Sequence, residues 1–320
     1  MGTEKKKNNV ALIIGIIILS IMFFVIVWGM ILSRFIGRVG SAGLNKIPGN
    51  GRASIEVIYV EGTIGESGSI FSEPTYKHRW TIEQIDELMY SPTNQAILLY
   101  VNSPGGGVYE SDELYLKLKE YKEVTQRPIY AYMAQTAASG GYYICMAADK
   151  VYANRMTMTG SIGVIMSTID TSELEQKIGI KTENVVSGKN KAMGNPLTEE
   201  QRQILQSMVD ETYNMFVEIV AENRKMDFDK TKQLADGRVY TASQAKELNL
   251  IDAIGNFDTV ISDLKTDYGL EDADVYDVIN ERSFFDELFS VMGKNTKLLN
   301  EFNIIKEYIE HSQKSKLMYY

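Results

Sequence analysis

The chain has 320 residues, 44% of them apolar and 23% charged, which is enough for a substantial core and excludes disorder of the whole chain. A formal net charge of −9 argues against nucleic acid as a principal partner, because phosphate binding wants a basic surface. The single cysteine, Cys145, rules out a disulfide framework and a cysteine-rich metal site, and only two histidines, His78 and His311, are present.

From Val10 to Leu32 there is no charge, and Ile, Val, Leu, Met and Phe dominate. At about 1.5 Å per residue, a helix of that length crosses a hydrocarbon core of roughly 30 Å. A cleaved secretory signal has a shorter apolar region, about 7 to 15 residues, so residues 10–32 read as an uncleaved transmembrane anchor. Lys5, Lys6 and Lys7 on one side face Arg34 and Arg38 on the other, and the bias places residues 1–9 in the cytoplasm and everything after the anchor outside it. The expected protein is single-pass, in the cell membrane, with an extracytoplasmic domain. Residues 33–53, rich in Gly, Ser, Asn and Pro, read as a linker, residues 54–282 as the folded domain, and residues 283–320 as a helical tail.

The domain opens on an alternating strand, Ser54 to Val60, followed by a polar loop from Gly62 to His78. Thr81 and Gln84 have the spacing of a capping box, which predicts a helix from Thr81 to Tyr90. A strand over Ala96–Val101, a helix over Tyr109–Lys122, a strand over Pro128–Met133, a helix starting near Ser139 and a strand over Lys150–Ala153 follow. Strands alternating with helices indicate an α/β fold with largely parallel pairing. Thr157–Val164 reads as a turn entering another strand, Thr182–Val186 as strand-like, and Thr198–Lys225 as a long amphipathic helix. Its stripe of Ile204, Met208, Met215 and Ile219 belongs to the core or to a subunit interface. Thr241 to Gln244 reads as a further helix start, a better account of Ser243 and Lys246 than a Ser-x-x-Lys nucleophile motif.

Three stretches carry chemistry. In Thr136-Ala137-Ala138-Ser139-Gly140-Gly141 a serine stands at a strand-to-helix junction among residues too small to cover it, as either a helix cap or a nucleophile. Asn102-Ser103-Pro104-Gly105-Gly106-Gly107 lies at a second such junction, where glycines leave N–H groups available for an oxyanion hole. Ser187-Gly188-Lys189-Asn190-Lys191 is a basic turn. A nucleophilic serine needs a base, and neither His78, in the polar loop, nor His311, in the tail, has the setting for one. A lysine whose amine is kept neutral can serve, with Lys191 and Lys189 as rivals that spacing does not separate. No phosphate loop, dinucleotide fingerprint or zinc helix appears, so no cofactor and no metal are expected. The apolar end of the tail, Leu317-Met318-Tyr319-Tyr320, suggests either a docking segment or a self-substrate that enters the chain's own cleft.

Taken with Thr159-Gly160-Ser161-Ile162-Gly163-Val164 and Asp236-Gly237-Arg238-Val239-Tyr240, these motifs resemble bacterial signal peptide peptidase A in its short Gram-positive form, over roughly residues 54 to 270. The resemblance implies a Clp-protease/crotonase-like fold and a serine endopeptidase with a Ser/Lys dyad that degrades remnant signal peptides and other apolar peptides at the membrane. It implies Ser139 as nucleophile, Lys191 as general base, Ser161 as the residue orienting the lysine, and Gly106 as an oxyanion-hole donor. It also implies a homo-oligomer, ring- or dome-shaped, in which neighbouring protomers share active sites. A crotonase-type acyl-CoA enzyme, a non-catalytic membrane scaffold and a histidine-dependent peptidase remain alternatives.

Overall fold

The computed structural model describes residues 51–65 and 76–279, together with the backbone of residues 318–319. The anchor, most of the linker and the tail helix expected from the sequence lie outside the described residues, among which no helix is long and apolar enough to cross a membrane. One unit of the chain runs from Gly51 to its end.

In chain order the elements are β1 (Ser54–Glu61), α1 (His78–Tyr90), β2 (Asn94–Ser103), β3 (Gly106–Gly107), α2 (Val108–Thr125), β4 (Ile129–Ala138), α3 (Gly140–Cys145), β5 (Lys150–Ala153) and β6 (Met158–Gly160). They are followed by α4 (Ser172–Ile178), α5 (Glu199–Arg224), α6 (Phe228–Leu234), β7 (Val239–Thr241), α7 (Ala242–Glu247), β8 (Ala253–Ile254), α8 (Phe257–Tyr268), β9 (Asp274–Val278) and β10 (Met318–Tyr319). The main sheet runs β7-β6-β4-β2-β1-β9, with β5 beside the first half of β4 and β8 beyond β5. Its pairings are parallel except between β6 and β7.

Strands that alternate with helices are covered on both faces, and the sequence shows it. Ile97, Leu98 and Leu99 are consecutive and all fully buried. On one face Ile55, Val57, Ala96, Leu98, Tyr130 and Tyr132 pack with Val260 and Leu264 of α8. Burying each large aliphatic contributes about 1.5–3 kcal/mol, so this layer holds the sheet flat against its helix. Tyr100 and Tyr132 extend the layer, with ring centroids 5.7 and 5.5 Å from Phe257.

Several expectations need correction. His78 does not sit in a loop: it opens α1, buried, with its Nδ1 2.9 Å from the Tyr76 hydroxyl and its Nε2 2.7 Å from Glu113 of α2. Thr81 is therefore inside the helix, and its hydroxyl donates to the Lys77 carbonyl at 3.0 Å instead of capping. The capping boxes that do form are Thr198 with Gln201 and Thr241 with Gln244, at the starts of α5 and α7. Thr182–Val186 is irregular and exposed, and no strand follows Gly160 before α4, because none of residues 163–200 is buried and an unpaired extended segment has nothing to ladder against. In α5 the residues facing the core are Phe216, Val217, Val220 and Ala221, whereas Met208 and Met215 of the expected stripe are exposed, so of the core and interface readings the core one fails for these two.

The end of the sheet away from the site holds a buried polar knot. Glu56 accepts from Ser54 at 2.7 Å and from the Asn94 amide at 2.5 Å, and the Asn94 carbonyl oxygen accepts from Tyr121 and Arg127 at 2.5 and 3.0 Å. Burial raises the Glu56 carboxyl above its ordinary value of 4.5, outweighing Ser54, Asn94 and Arg127, which pull it down. The folded state thus holds a proton that the unfolded chain gives up. This contribution is fully present below 4.5 and is lost as pH rises through the raised value. In urea unfolding, Glu56→Gln should therefore gain stability relative to the parent as pH rises from 4.5 to 7; a difference that stays constant with pH would show that the carboxyl is not its source.

Candidate active site

The site is built where β2 and β4 end side by side. The two strands pair in parallel from Ile97 with Ile129 to Val101 with Met133, then shift register so that Ser103 stands opposite Ala137. Their carboxyl ends open into a crevice, the usual ligand position of a parallel sheet. The Asn102 side chain braces the two ends by accepting from the Thr136 N–H at 3.2 Å.

After β2 the chain turns through Pro104 and Gly105 into β3. Ser103 sets this turn, its hydroxyl accepting from the Gly105 N–H at 3.1 Å. One edge of β3 is then fixed by Ile64: its N–H donates to the Gly105 carbonyl at 2.9 Å, and its carbonyl accepts from the Gly107 N–H at 2.8 Å. A side chain on Gly106 would lie 1.9 Å from the Ile64 carbonyl oxygen, so only glycine fits there. The other edge of β3 pairs antiparallel with β10, Met318 opposite Gly107 and Tyr319 opposite Gly106.

After β4 comes Ser139, fully buried, with φ 54° and ψ −121°, a conformation side chains rarely adopt. Its N–H donates to the Gly160 carbonyl at 2.8 Å, and its carbonyl accepts from the Tyr143 N–H at 2.9 Å, which starts α3. The hydroxyl does not cap that helix, and it has no hydrogen-bond partner among the described residues. Strain and an unpartnered polar group at one residue are the marks of a functional serine rather than a helix stop. Gly140 follows in close contact with the other turn. A Cβ on it would lie 3.3 Å from the Gly106 nitrogen and 2.4 Å from the Ser111 hydroxyl of α2. A Cβ on Gly141 would lie 2.6 Å from the Ser103 carbonyl oxygen.

The structure therefore brings Ser139 and Gly106 together. Ser161 is near them, buried on a second positive-φ turn at 49°, just after Gly160 pairs with Ala138. Lys191 is elsewhere: it lies in the exposed turn over residues 187–192, its N–H donating to the Gly188 carbonyl at 3.0 Å, and within this chain it makes no hydrogen bond to Ser139. Lys189 is exposed and ion-paired to Glu200 at 2.7 Å, which draws that carboxyl below its usual range. Ile64, Ser103 and Ser111 were not legible as site residues, because each sits in an ordinary-looking loop, strand end or helix turn.

The sequence pattern of peptidase family S49 matches residues 122–271. The chain is 38% identical over 242 residues to a protein of Enterococcus faecium named as signal peptide peptidase SppA, covering 74% of this chain and 70% of that one. The chain belongs to peptidase family S49. A further relative, named as a protease, comes from Methanocaldococcus jannaschii, 33% identical over 228 residues, with 67% of this chain and 72% of the relative covered. Protease 4 of Salmonella typhi is 31% identical over 225 residues, which are 68% of this chain and 35% of that longer protein. This S49 chain is a serine protease, and the strained, buried Ser139 is the serine whose geometry suits that chemistry.

Relieving the strain at Ser139 should stabilise the fold. Ser139→Ala removes an unpartnered buried hydroxyl, and Ser139→Gly also removes the positive-φ penalty. Melting temperature should rise in the order parent, alanine, glycine, the last by about 1 kcal/mol of stability. A glycine variant less stable than the parent would show that the serine serves the fold.

Proposed function

We propose that this protein is an endopeptidase with a Ser/Lys dyad that cuts apolar peptides, remnant signal peptides among them, at the membrane surface. The observation that carries the reading is the Ser139 hydroxyl, held on a strained turn beside the Gly106 and Gly140 backbone with no base bonded to it among the described residues. Lys191 takes the Ser139 proton, and Ser139 attacks the peptide carbonyl. The Gly106 N–H stabilises the oxyanion, Lys191 protonates the leaving amine, and water releases the acyl-enzyme. Ser161 orients the lysine amine. The Clp-protease/crotonase-like fold, the anchor over residues 10–32 and an extracytoplasmic domain belong to the same reading.

Lys191 is preferred to Lys189 because Lys189 is committed to Glu200, while Lys191 has no ion pair among the described residues. Ser139 is buried while Lys191 lies in an exposed turn and makes no hydrogen bond to it, which supports a partner protomer as the source of the base. Residues 163–200 contain no buried side chain, yet they expose Ile165, Ile169, Leu174, Ile178, Ile180, Val185, Val186 and Met193. A segment this apolar wants cover. A second copy of the chain, packed also on Met208 and Met215, would give it that cover and bring Lys191 to the neighbour's serine in a closed ring of subunits.

On a fluorogenic peptide of small and apolar residues, Ser139→Ala and Lys191→Ala should each lose several orders of magnitude in kcat, and Lys189→Ala should retain activity. Mixing the two inactive proteins should restore part of the rate. Hydrolysis that survives Ser139→Ala would refute the dyad, and a mixture as inactive as its components would place both residues in one protomer.

The antiparallel pairing of β10 with β3 supports a peptide as the occupant of the crevice and the chain's own C-terminus as a substrate. Intact-mass measurement of the purified protein should find the terminus shortened in the parent and complete in Ser139→Ala. Identical full-length termini would dispose of self-processing.

A further inference from the structure

Two fully buried hydroxyls at the crevice have no hydrogen-bond partner among the described residues: that of Ser139 and that of Ser111. Ser111 lies in the first turns of α2, where a serine ordinarily donates to a backbone carbonyl of the preceding turn. Its hydroxyl makes no such bond. It lies instead against Gly140, where a Cβ would meet it at 2.4 Å, and the same point is 3.3 Å from the Gly106 nitrogen. The hydroxyl thus stands on the face of Gly140 that also meets the Gly106 amide, in a water-excluded place where a dipole acts at low dielectric.

A buried hydroxyl without a partner weakens the fold, so the fold gives no reason for Ser111. A negative oxygen held by the adjacent amides would supply one. We propose that Ser111 is a positioning residue of the oxyanion hole. Its O–H, free to rotate in the resting enzyme, turns its hydrogen towards the charge that develops as Ser139 attacks, and its dipole supports the Gly106 N–H donor from behind. The assignment rests on reading Ser139 as nucleophile and Gly106 as donor. Because the dipole responds to charge absent from the bound substrate, it acts on kcat and leaves KM alone.

The test uses the full chain, with peptide hydrolysis, thermal melting and labelling of Ser139 by a fluorophosphonate for the parent, Ser111→Ala and Ser111→Cys. Ser111→Ala should lower kcat about ten-fold, less than the loss of a direct donor, with KM within about two-fold of the parent. Its melting temperature should be equal to the parent's or higher. Ser111→Cys, keeping a weaker donor, should fall between. A kcat for Ser111→Ala within about two-fold of the parent would overturn the proposal, as would a loss of kcat that comes with a lower melting temperature. Failure of the underlying reading looks different: Ser139 would not be labelled in the parent, or hydrolysis would persist in Ser139→Ala.

Discussion

The site depends on backbone meeting backbone where side chains would keep them apart. Gly106 lies against the Ile64 carbonyl, Gly140 against Ser111 and the Gly105–Gly106 turn, and Gly141 against the Ser103 carbonyl. Each contact is closer than a Cβ would permit, so the two strand-to-helix turns can approach only as glycine. That approach sets Ser139 beside amide groups whose direction the sheet has already fixed. Positioning by main chain is stiff, because the amides are held by the ladder of β2 with β4 and by the Ile64 bridge rather than by rotatable side chains.

The remainder of the domain divides by what it buries. The sheet, with α1, α2, α3 and α8, holds most of the consecutive buried apolar residues and needs no partner for its core. The stretch from 163 to 200 buries nothing. It carries Lys191 and exposes apolar side chains from Ile165 to Met193. Under the proposed dyad, a base supplied on assembly would have a physical advantage, because an isolated subunit would hold a strained serine without its proton acceptor. The cost would be an apolar segment left exposed before assembly.

Much of this was legible in the sequence, for identifiable reasons. Strands β2 and β4 announce themselves because buried parallel strands read as continuous apolar runs, α5 because of its amphipathic pattern and α7 because its capping box forms as spaced. The glycine runs and Ser139 are legible because several small-residue stretches at strand-to-helix junctions occur together, whereas Ser139 alone reads equally as a helix cap. The false capping box at Thr81 shows the limit. The same Thr and Gln spacing occurs, but His78, tied to Tyr76 and Glu113, starts the helix earlier and draws the threonine into its first turn. Ile64, Ser103 and Ser111 could not be found by pattern. Their roles come from long-range neighbours, an edge pairing across a turn and a contact between α2 and α3, that leave no period in the chain.

The two edges of β3 explain what kind of ligand such a crevice accepts. One edge is saturated by Ile64, and the other pairs with an extended segment running antiparallel to it. A strand made of Gly106 and Gly107 presents N–H and C=O groups and no side chain. An extended peptide laid along it is therefore held through its own main chain, which every peptide has. Discrimination must come from elsewhere, from walls that the alternate side chains of the peptide touch. A site of this design suits substrates related by extension and apolarity more than by a fixed sequence. The backbone of residues 318–319, paired with β3, meets the requirement of extension.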